Sequence, residues 1–365
     1  MNLGLRELRR RPGRFGSAIA SLTLLVILLL LLGGLLDGLY LGSTGAIRAQ
    51  QGDVVVYSAD ARDSFLRSRI TPEVRAEVEA LDGVAATGGL GVALLGATVP
   101  GESELADVAL FGYELAPEGV PEPPPPGEGV ADRVLEASGV AVGDTIEVGP
   151  GAVPVEITGW VDDTSYLLQG SVWVNAETWR EAQTAARPDD AVGAEVFQVL
   201  VVEADPGVDP AALADDIDEA TGGATSTLTQ DEAVLSLPGT QEQNSTFSLL
   251  INTTLFVAGL VSALFFALLV IERLSLYATL KAVGAHSRQL LGGVLTQAVL
   301  VALVAIVCGG ALTFLLSLGI PPGVPIRLEP GRALTTAVLL VVASALGAAL
   351  SLRRITKIDP ATAIG

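Results

Sequence analysis

Four stretches of the chain are apolar almost without interruption: Ser17 to Leu41, Ser248 to Ile271, Leu290 to Leu318 and Ala333 to Leu352. Crossing about 30 Å of hydrocarbon takes about 20 helical residues, and each run reaches or exceeds that, whereas buried core helices are shorter, at about 10–14 residues. The pattern predicts four membrane-spanning helices. Basic residues before the first run, and the small residues Gly42, Ser43, Thr44, Gly45 and Ala46 after it, also suit a cleaved signal peptide. The apolar centre of a signal peptide is only about 7–15 residues long, however, so the first run is expected to stay as an anchor.

Between the first two runs the hydrophobic period shortens and polar residues return. Asp53 to Tyr57 and Val108 to Tyr113 read as strands, as do Ser171 to Val174 and Phe197 to Glu203. Asp144 to Val148 and Val153 to Trp160 read as two strands paired across a Gly-Pro-Gly turn. Helices are predicted from Thr71, with Pro72 at the first helical position, through Ala80; over Ala131 to Ala137; and over Asp209 to Ala220. Pro121 to Pro126 reads as an exposed proline-rich loop. This is an α+β domain without a fixed internal repeat. The expected organisation is a leader 1–16, spans at 17–41, 247–271, 290–318 and 333–352, an extracytoplasmic domain 42–246, a connector 272–289, a short outer loop 319–332 and a tail 353–365: an α-helical membrane fold in a one-plus-three arrangement.

Charge then orients the chain. Arg6, Arg9, Arg10, Arg11 and Arg14 precede the first span; Arg273, Lys281 and Arg288 lie between the second and third; Arg353, Arg354 and Lys357 follow the fourth. Cationic loops stay cytoplasmic, and all three segments fall on the same side of a four-span topology, so both termini are expected in the cytoplasm and the protein in the plasma membrane. The segment 42–246 holds 36 Asp and Glu against 8 Arg, an excess of acid that outweighs the chain's whole net charge of −20. So acidic a surface does not neutralise phosphates, which argues against nucleic acid as a partner. It reads as a solvated face, or as a surface that recruits cationic substrates.

Inventory removes several chemistries. No G-x-x-x-x-G-K-[ST] phosphate loop occurs, so this chain does not cradle ATP that way. The single histidine, His286, lies in a cytoplasmic connector, which leaves no His-based zinc site or serine–histidine triad for the outer domain. The single cysteine, Cys308, sits in the third apolar run and reads as a packing residue. The chain is not expected to be an enzyme by itself, and no cofactor or metal is assigned to it.

The stretch from Glu272, E-R-L-S-L-Y-A-T-L-K-A-V-G-A-H-S-R-Q-L-L, resembles the coupling segment of the MacB/FtsX-like (type VII) ABC transporter permeases. The ending R-R-I-T-K-I-D-P-A-T-A-I-G and the leader L-R-E-L-R-R-R-P-G-R-F resemble the family's tail and amphipathic start. The outer segments Asp53 to Ile70 and Leu237 to Phe247 are similar to the HrtB/DevC branch, which includes haem and glycolipid exporters. The resemblance implies a homodimeric permease among membrane lipids, with two copies of a separate ABC ATPase that bind ATP and magnesium. It also implies an efflux substrate that is hydrophobic or amphiphilic: haem, a lipid or a drug-like molecule. The alternative within the family is FtsX-like signalling to an extracellular cell-wall hydrolase. The coupling residues it implies are Arg273, Tyr277, Lys281, Gly284 and Ala285, with Arg9 and Arg10 of the leader. Physically, residues 273–283 can form three helical turns and Gly284 can supply a left-handed stop.

Asp37 and Tyr40, near the outer end of the first span, are candidates for a substrate cleft beside the second span, since ionisable groups in a span usually face protein or water. The other reading is a hydrated carboxylate and an interfacial phenol at the membrane edge. Phe256, Phe265 and Phe266 in the second span are candidates for lining such a cleft, or simply pack. Gly292, Gly293, Gly309 and Gly310 permit close helix approach in the third span.

Overall fold

Alternation of apolar and polar residues is clearest at Thr145–Val148 (β5) and Val153–Val161 (β6), where Ile146, Val148, Val153, Val155 and Ile157 are buried and their neighbours face solvent. These two strands form the expected antiparallel hairpin across Gly149. They belong to a nine-stranded sheet in the order β3-β7-β4-β6-β5-β2-β8-β1-β9, in which β2 also pairs with β3. The remaining strands are Val54–Ser58 (β1), Val84–Thr98 (β2), Ala106–Tyr113 (β3), Glu128–Asp132 (β4), Gly170–Asn175 (β7), Val199–Ala204 (β8) and Thr225–Thr229 (β9). The β2–β3 pairing closes β2, β3, β7, β4, β6 and β5 into a ring. The long β2 makes this possible: its first half pairs with β8 and its second with β3, ending on β5.

The computed structural model describes residues 12–272, 279, 283, 287–321 and 324–356. It divides into a unit Leu39–Glu242 and a unit made of Met1–Gly38 with Gln243–Gly365. In the first unit the central strands are buried on both faces. Leu90 and Val92 of β2, with Phe111 and Tyr113 of β3, join one core with Ile47, Tyr57 and Trp173. Ala93 and Ala97, with Val108 and Leu110, join another with Trp179 and the inward residues of β5 and β6. Trp179, on the helix Ala176–Ala186 (α3), lies flat against β2 and β3: a Cβ added at Gly91 or Gly112 would fall 2.1 or 2.4 Å from its side chain. Helices Pro72–Glu79 (α2) and Pro210–Ala220 (α4) bury Val78, Leu213 and Ile217 against Val54, Val56, Leu200 and Val202. The short helix Gln230–Leu235 (α5) starts in a capping box between Thr229 and Glu232.

One expected element changes character. Ala131 and Asp132 complete β4, and the predicted helix shrinks to a 3-10 turn, Arg133–Ser138. The cause is Asp132, whose buried carboxylate accepts the Val134 N–H at 3.0 Å, the Thr164 N–H at 2.9 Å and the Ser165 hydroxyl at 2.9 Å. That network fixes Asp132 at the strand end, and Gly139 stops the turn at φ 84°.

Among the described residues four helices are long and apolar enough to cross a membrane: Pro12–Arg48 (α1), Thr240–Glu272 (α6), Ser287–Ser317 (α7) and Pro330–Thr356 (α8). The chain is thus a four-helix membrane protein with an α+β sheet domain between the first and second helices. Leu22, Val26, Leu29, Phe266, Val301, Ala305 and Leu340 form the helical core. Small residues set the crossings: a Cβ at Gly309 would meet Val26 at 2.5 Å, and one at Gly347 would meet the Gly259 carbonyl oxygen at 2.2 Å. Gly292, Gly293 and Gly310 have open space beside them instead, and Cys308, expected to pack, is exposed.

Candidate functional site

The outer end of α1 carries three glycines around one acid, Gly33-Gly34-x-x-Asp37-Gly38. Without side chains the helix surface is flat there, and the segment leading into α8 lies directly on it. The Arg327 N–H donates to the Gly34 carbonyl at 2.9 Å. A Cβ at Gly38 would fall 1.9 Å from the Pro325 carbonyl oxygen, and one at Gly34 would fall 2.9 Å from Leu328 Cδ2. This contact brings the first turn of α8 beside Asp37, whose Oδ1 accepts a charge-assisted hydrogen bond from Arg332 Nε. A guanidinium at a helix N-terminus meets the positive end of the helix dipole, an unfavourable position that the Asp37 carboxylate offsets.

The pair borders a small cleft of about 10 Å³, room for about one water-sized group, walled by Leu29 and Leu30 of α1 and by Glu329, Arg332 and Thr336. Only 10% of the Asp37 side chain is exposed, against 41% of Arg332. The second carboxylate oxygen, Oδ2, is buried with no hydrogen-bond partner among the described residues. Asp37 thus turns to the fourth helix rather than the second.

Other expected site residues take different positions. Tyr40 packs at the edge of the outer-domain core; its carbonyl accepts the Thr44 hydroxyl at 2.7 Å, and the Arg48 guanidinium sits 5.7 Å from its ring. Phe266 is buried in the helical core and meets Phe265 edge-on at 5.2 Å, while Phe265 also meets Phe15 at 6.1 Å. Phe256 is exposed, so the three phenylalanines do not share one surface. Arg9, Arg10, Arg273, Tyr277, Lys281, Gly284 and Ala285 lie outside the described residues. Within that connector the Val283 N–H donates to the Thr279 carbonyl at 3.0 Å, the i to i−4 bond of a helical turn.

In the outer domain the tyrosines serve packing. Tyr57, Tyr113 and Tyr166 are buried, and burial pushes all three phenols well above their usual range, so they stay neutral. Among the described residues no cluster of His, Cys, Asp and Glu is arranged to hold a metal ion. Burial also pushes the Arg180 guanidinium down from its ordinary value, and it stacks 4.5 Å from the centre of the Phe197 ring.

Two family models match successive parts of the chain. The MacB-like periplasmic core domain matches residues 16–220, and the FtsX-like permease C-terminal family matches residues 248–360. The chain belongs to the MacB/FtsX-like family of ABC transporter permeases. Two uncharacterized ABC transporter permeases of Mycobacterium tuberculosis are each 28% identical over 370 residues, covering 99% of this chain and 98% of theirs. A putative hemin transport system permease protein HrtB of Staphylococcus haemolyticus is 26% identical over 125 residues, 34% of this chain and 36% of that one. Among solved structures, the periplasmic region of MacB from Actinobacillus actinomycetemcomitans is 13% identical with a TM-score of 0.37, covering 51% of this chain and 92% of that one. Permease subunits of this family are generally non-catalytic, and the family implies an ATPase partner.

Proposed function

We propose that this permease works as a homodimer on two copies of a separate ABC ATPase and expels a hydrophobic or amphiphilic molecule from the outer leaflet of the plasma membrane. ATP and magnesium bind the partner, which pushes on the connector 272–289 and the leader, and both of these face the cytoplasm with the two chain termini. The observation that carries the export reading is the Asp37–Arg332 pair. A charged pair at the end of otherwise apolar spans, its guanidinium 41% exposed, suits the polar head of a molecule whose body is apolar. Asp37 and Arg332 are the substrate-facing pair in this account. Tyr40, Phe256, Phe265 and Phe266 belong to the surfaces the substrate passes.

Haem is the cargo that the HrtB likeness suggests, and it would have to bind without histidine outside the membrane, since the single histidine is His286. FtsX-like signalling to a cell-wall hydrolase is the second reading, favoured by the FtsX-like match over the last three spans. One experiment separates the two. The permease–ATPase complex is purified in nanodiscs, its co-purifying small molecules are identified by mass spectrometry, and those molecules are loaded into proteoliposomes containing the complex. Export predicts ATP-dependent loss of at least one of them from the membrane. ATP hydrolysis without movement of any, together with activation of an envelope hydrolase, would overturn export.

A further inference from the structure

One turn of the outer domain goes against the residue preferences of its own backbone. Between β6 and β7 the chain reverses over Tyr166-Leu167-Leu168-Gln169. The Tyr166 N–H donates to the Gln169 carbonyl and the Gln169 N–H to the Tyr166 carbonyl, each at 2.9 Å. Both central residues have positive φ, 49° at Leu167 and 66° at Leu168. Two-residue turns with positive φ at both positions are normally built from Asn, Asp and Gly, because a larger side chain is crowded there. Here both positions hold leucine, and Leu168 is 51% exposed. An exposed leucine is ordinary by itself. One that also holds a strained backbone gains nothing from water to offset the strain.

Hydrogen bonds tie this turn to α1. The Leu167 N–H donates to the Ser43 carbonyl at 3.1 Å and the Leu168 N–H to the Gly42 carbonyl at 2.9 Å. Leu168 Cδ2 covers Gly42, 3.1 Å from where a Cβ would stand. Gly42 is the first residue after the apolar run Ser17 to Leu41, which is 25 residues long. That run makes about 37 Å of helix, the length of the hydrocarbon, about 30 Å, plus one headgroup layer of about 5–7 Å. Gly42 therefore marks the level of the headgroups, and the leucine at its side shares that level. The acids of the same loop stand farther from the apolar run: the Asp163 carbonyl meets Gly45, one turn beyond Gly42.

We propose that the Leu167–Leu168 turn is a membrane-interface anchor, with Leu168 seated among the headgroups and upper acyl chains of the outer leaflet. The partner follows from position. A side chain lying against a span, one residue past its apolar run, meets lipid wherever the protein is inserted, and lipid gives an apolar side chain the environment that water denies it. Leu105 is more exposed, at 67%, but it lies on the β2–β3 turn beside Glu102 and Glu104, with no span to bring lipid to it. The anchor holds the last turns of α1 at a fixed height in the bilayer through two backbone hydrogen bonds, and it serves export and signalling alike.

The test uses the full permease in nanodiscs, in a Cys308→Ser background. Leu168→Cys carries a bimane, and the phospholipid carries a nitroxide either near its headgroup or near its chain end. Leu105→Cys with the same label is the control. The headgroup-side nitroxide is expected to cut Leu168→Cys emission severalfold, the chain-end nitroxide to cut it less, and neither to change Leu105→Cys; aqueous iodide is expected to quench in the opposite order. Because a label loads so tight a turn, the wild-type permease is also irradiated in nanodiscs of a phospholipid bearing a diazirine high in its acyl chain. Adducts mapped by mass spectrometry are expected on Leu167 or Leu168 and not at Leu105. Leu167→Asn with Leu168→Gly, residues that such a turn prefers in water, is expected to lose those adducts while the urea midpoint read by tryptophan fluorescence holds or rises. Lipid quenching at Leu168→Cys no greater than at Leu105→Cys, or no adduct on the wild-type turn, would overturn the anchor. Cross-linking of Leu168→Cys to a second copy in the absence of lipid quenching would assign the side chain to a dimer contact and overturn it as well.

Discussion

At Gly38 the absence of a side chain decides the local architecture. The carbonyl of Pro325 occupies the space a Cβ would fill, at 1.9 Å, so neither chain segment can yield without the contact opening. Gly38→Val is expected to lift the 324–328 segment from α1, separate Arg332 from Asp37, and lower stability by about 1–3 kcal/mol, the usual cost of overpacking. The midpoint of thermal unfolding in detergent reads this directly, and an unchanged midpoint would mean that the segment does not rest on the helix. Asp37 was legible in the sequence as the one ionisable group in an apolar run. Its partner was not: Arg332 is 295 positions away and one residue before the apolar run that begins at Ala333, where a lone arginine reads as ordinary membrane-edge charge. The glycines were silent as well, because their role is the approach of a segment that nothing in their own stretch announces.

Among the elements, strands were readable both where one face is wet, as in β5 and β6, and where both faces are buried in short β-branched runs, as in β1, β3, β7 and β8. β5 and β6 alternate, and their hairpin was expected at the right place. β2 escaped notice, although it is the longest strand and joins the two halves of the sheet. Its four glycines, Gly88, Gly89, Gly91 and Gly96, dilute its strand character. Those glycines are present because Trp179 and Phe197 occupy the space above them: a Cβ at Gly89 would fall 2.2 Å from the Phe197 ring. Gly112→Val is therefore expected to cost about 1–3 kcal/mol or more by displacing Trp179. All three tryptophans, Trp160, Trp173 and Trp179, lie between the first and second helices, so tryptophan fluorescence during urea unfolding reports on that unit alone. Gly292→Ala, beside open space on α7, is expected to leave that transition and the thermal midpoint unchanged or slightly raised, since alanine favours helix. A fall as large as that of Gly112→Val would contradict the packing described for α7.

For the whole molecule, the four spans and the acidic domain between the first two were legible from hydropathy and charge, because a membrane leaves few alternatives to a long apolar helix. The orientation expected from the basic connectors can be checked with impermeant maleimide on intact cells. In a Cys308→Ser background, Glu104→Cys, exposed in the outer domain, is expected to react and Ser287→Cys to stay unlabelled; the reverse would invert the topology. The central claim is that the permease is driven by, and regulates, a separate ATPase through the connector that follows Glu272. Its most direct test is the rate of ATP hydrolysis by the purified ATPase alone, with the wild-type permease, and with Gly284→Val, which places a β-branched residue where a left-handed stop is expected, at a local cost of about 1–2 kcal/mol. The account predicts that the wild-type permease changes the rate several-fold and that Gly284→Val, still inserted and dimeric, returns it to that of the isolated ATPase. Equal rates with and without the wild-type permease, or an unaltered effect in Gly284→Val, would contradict it.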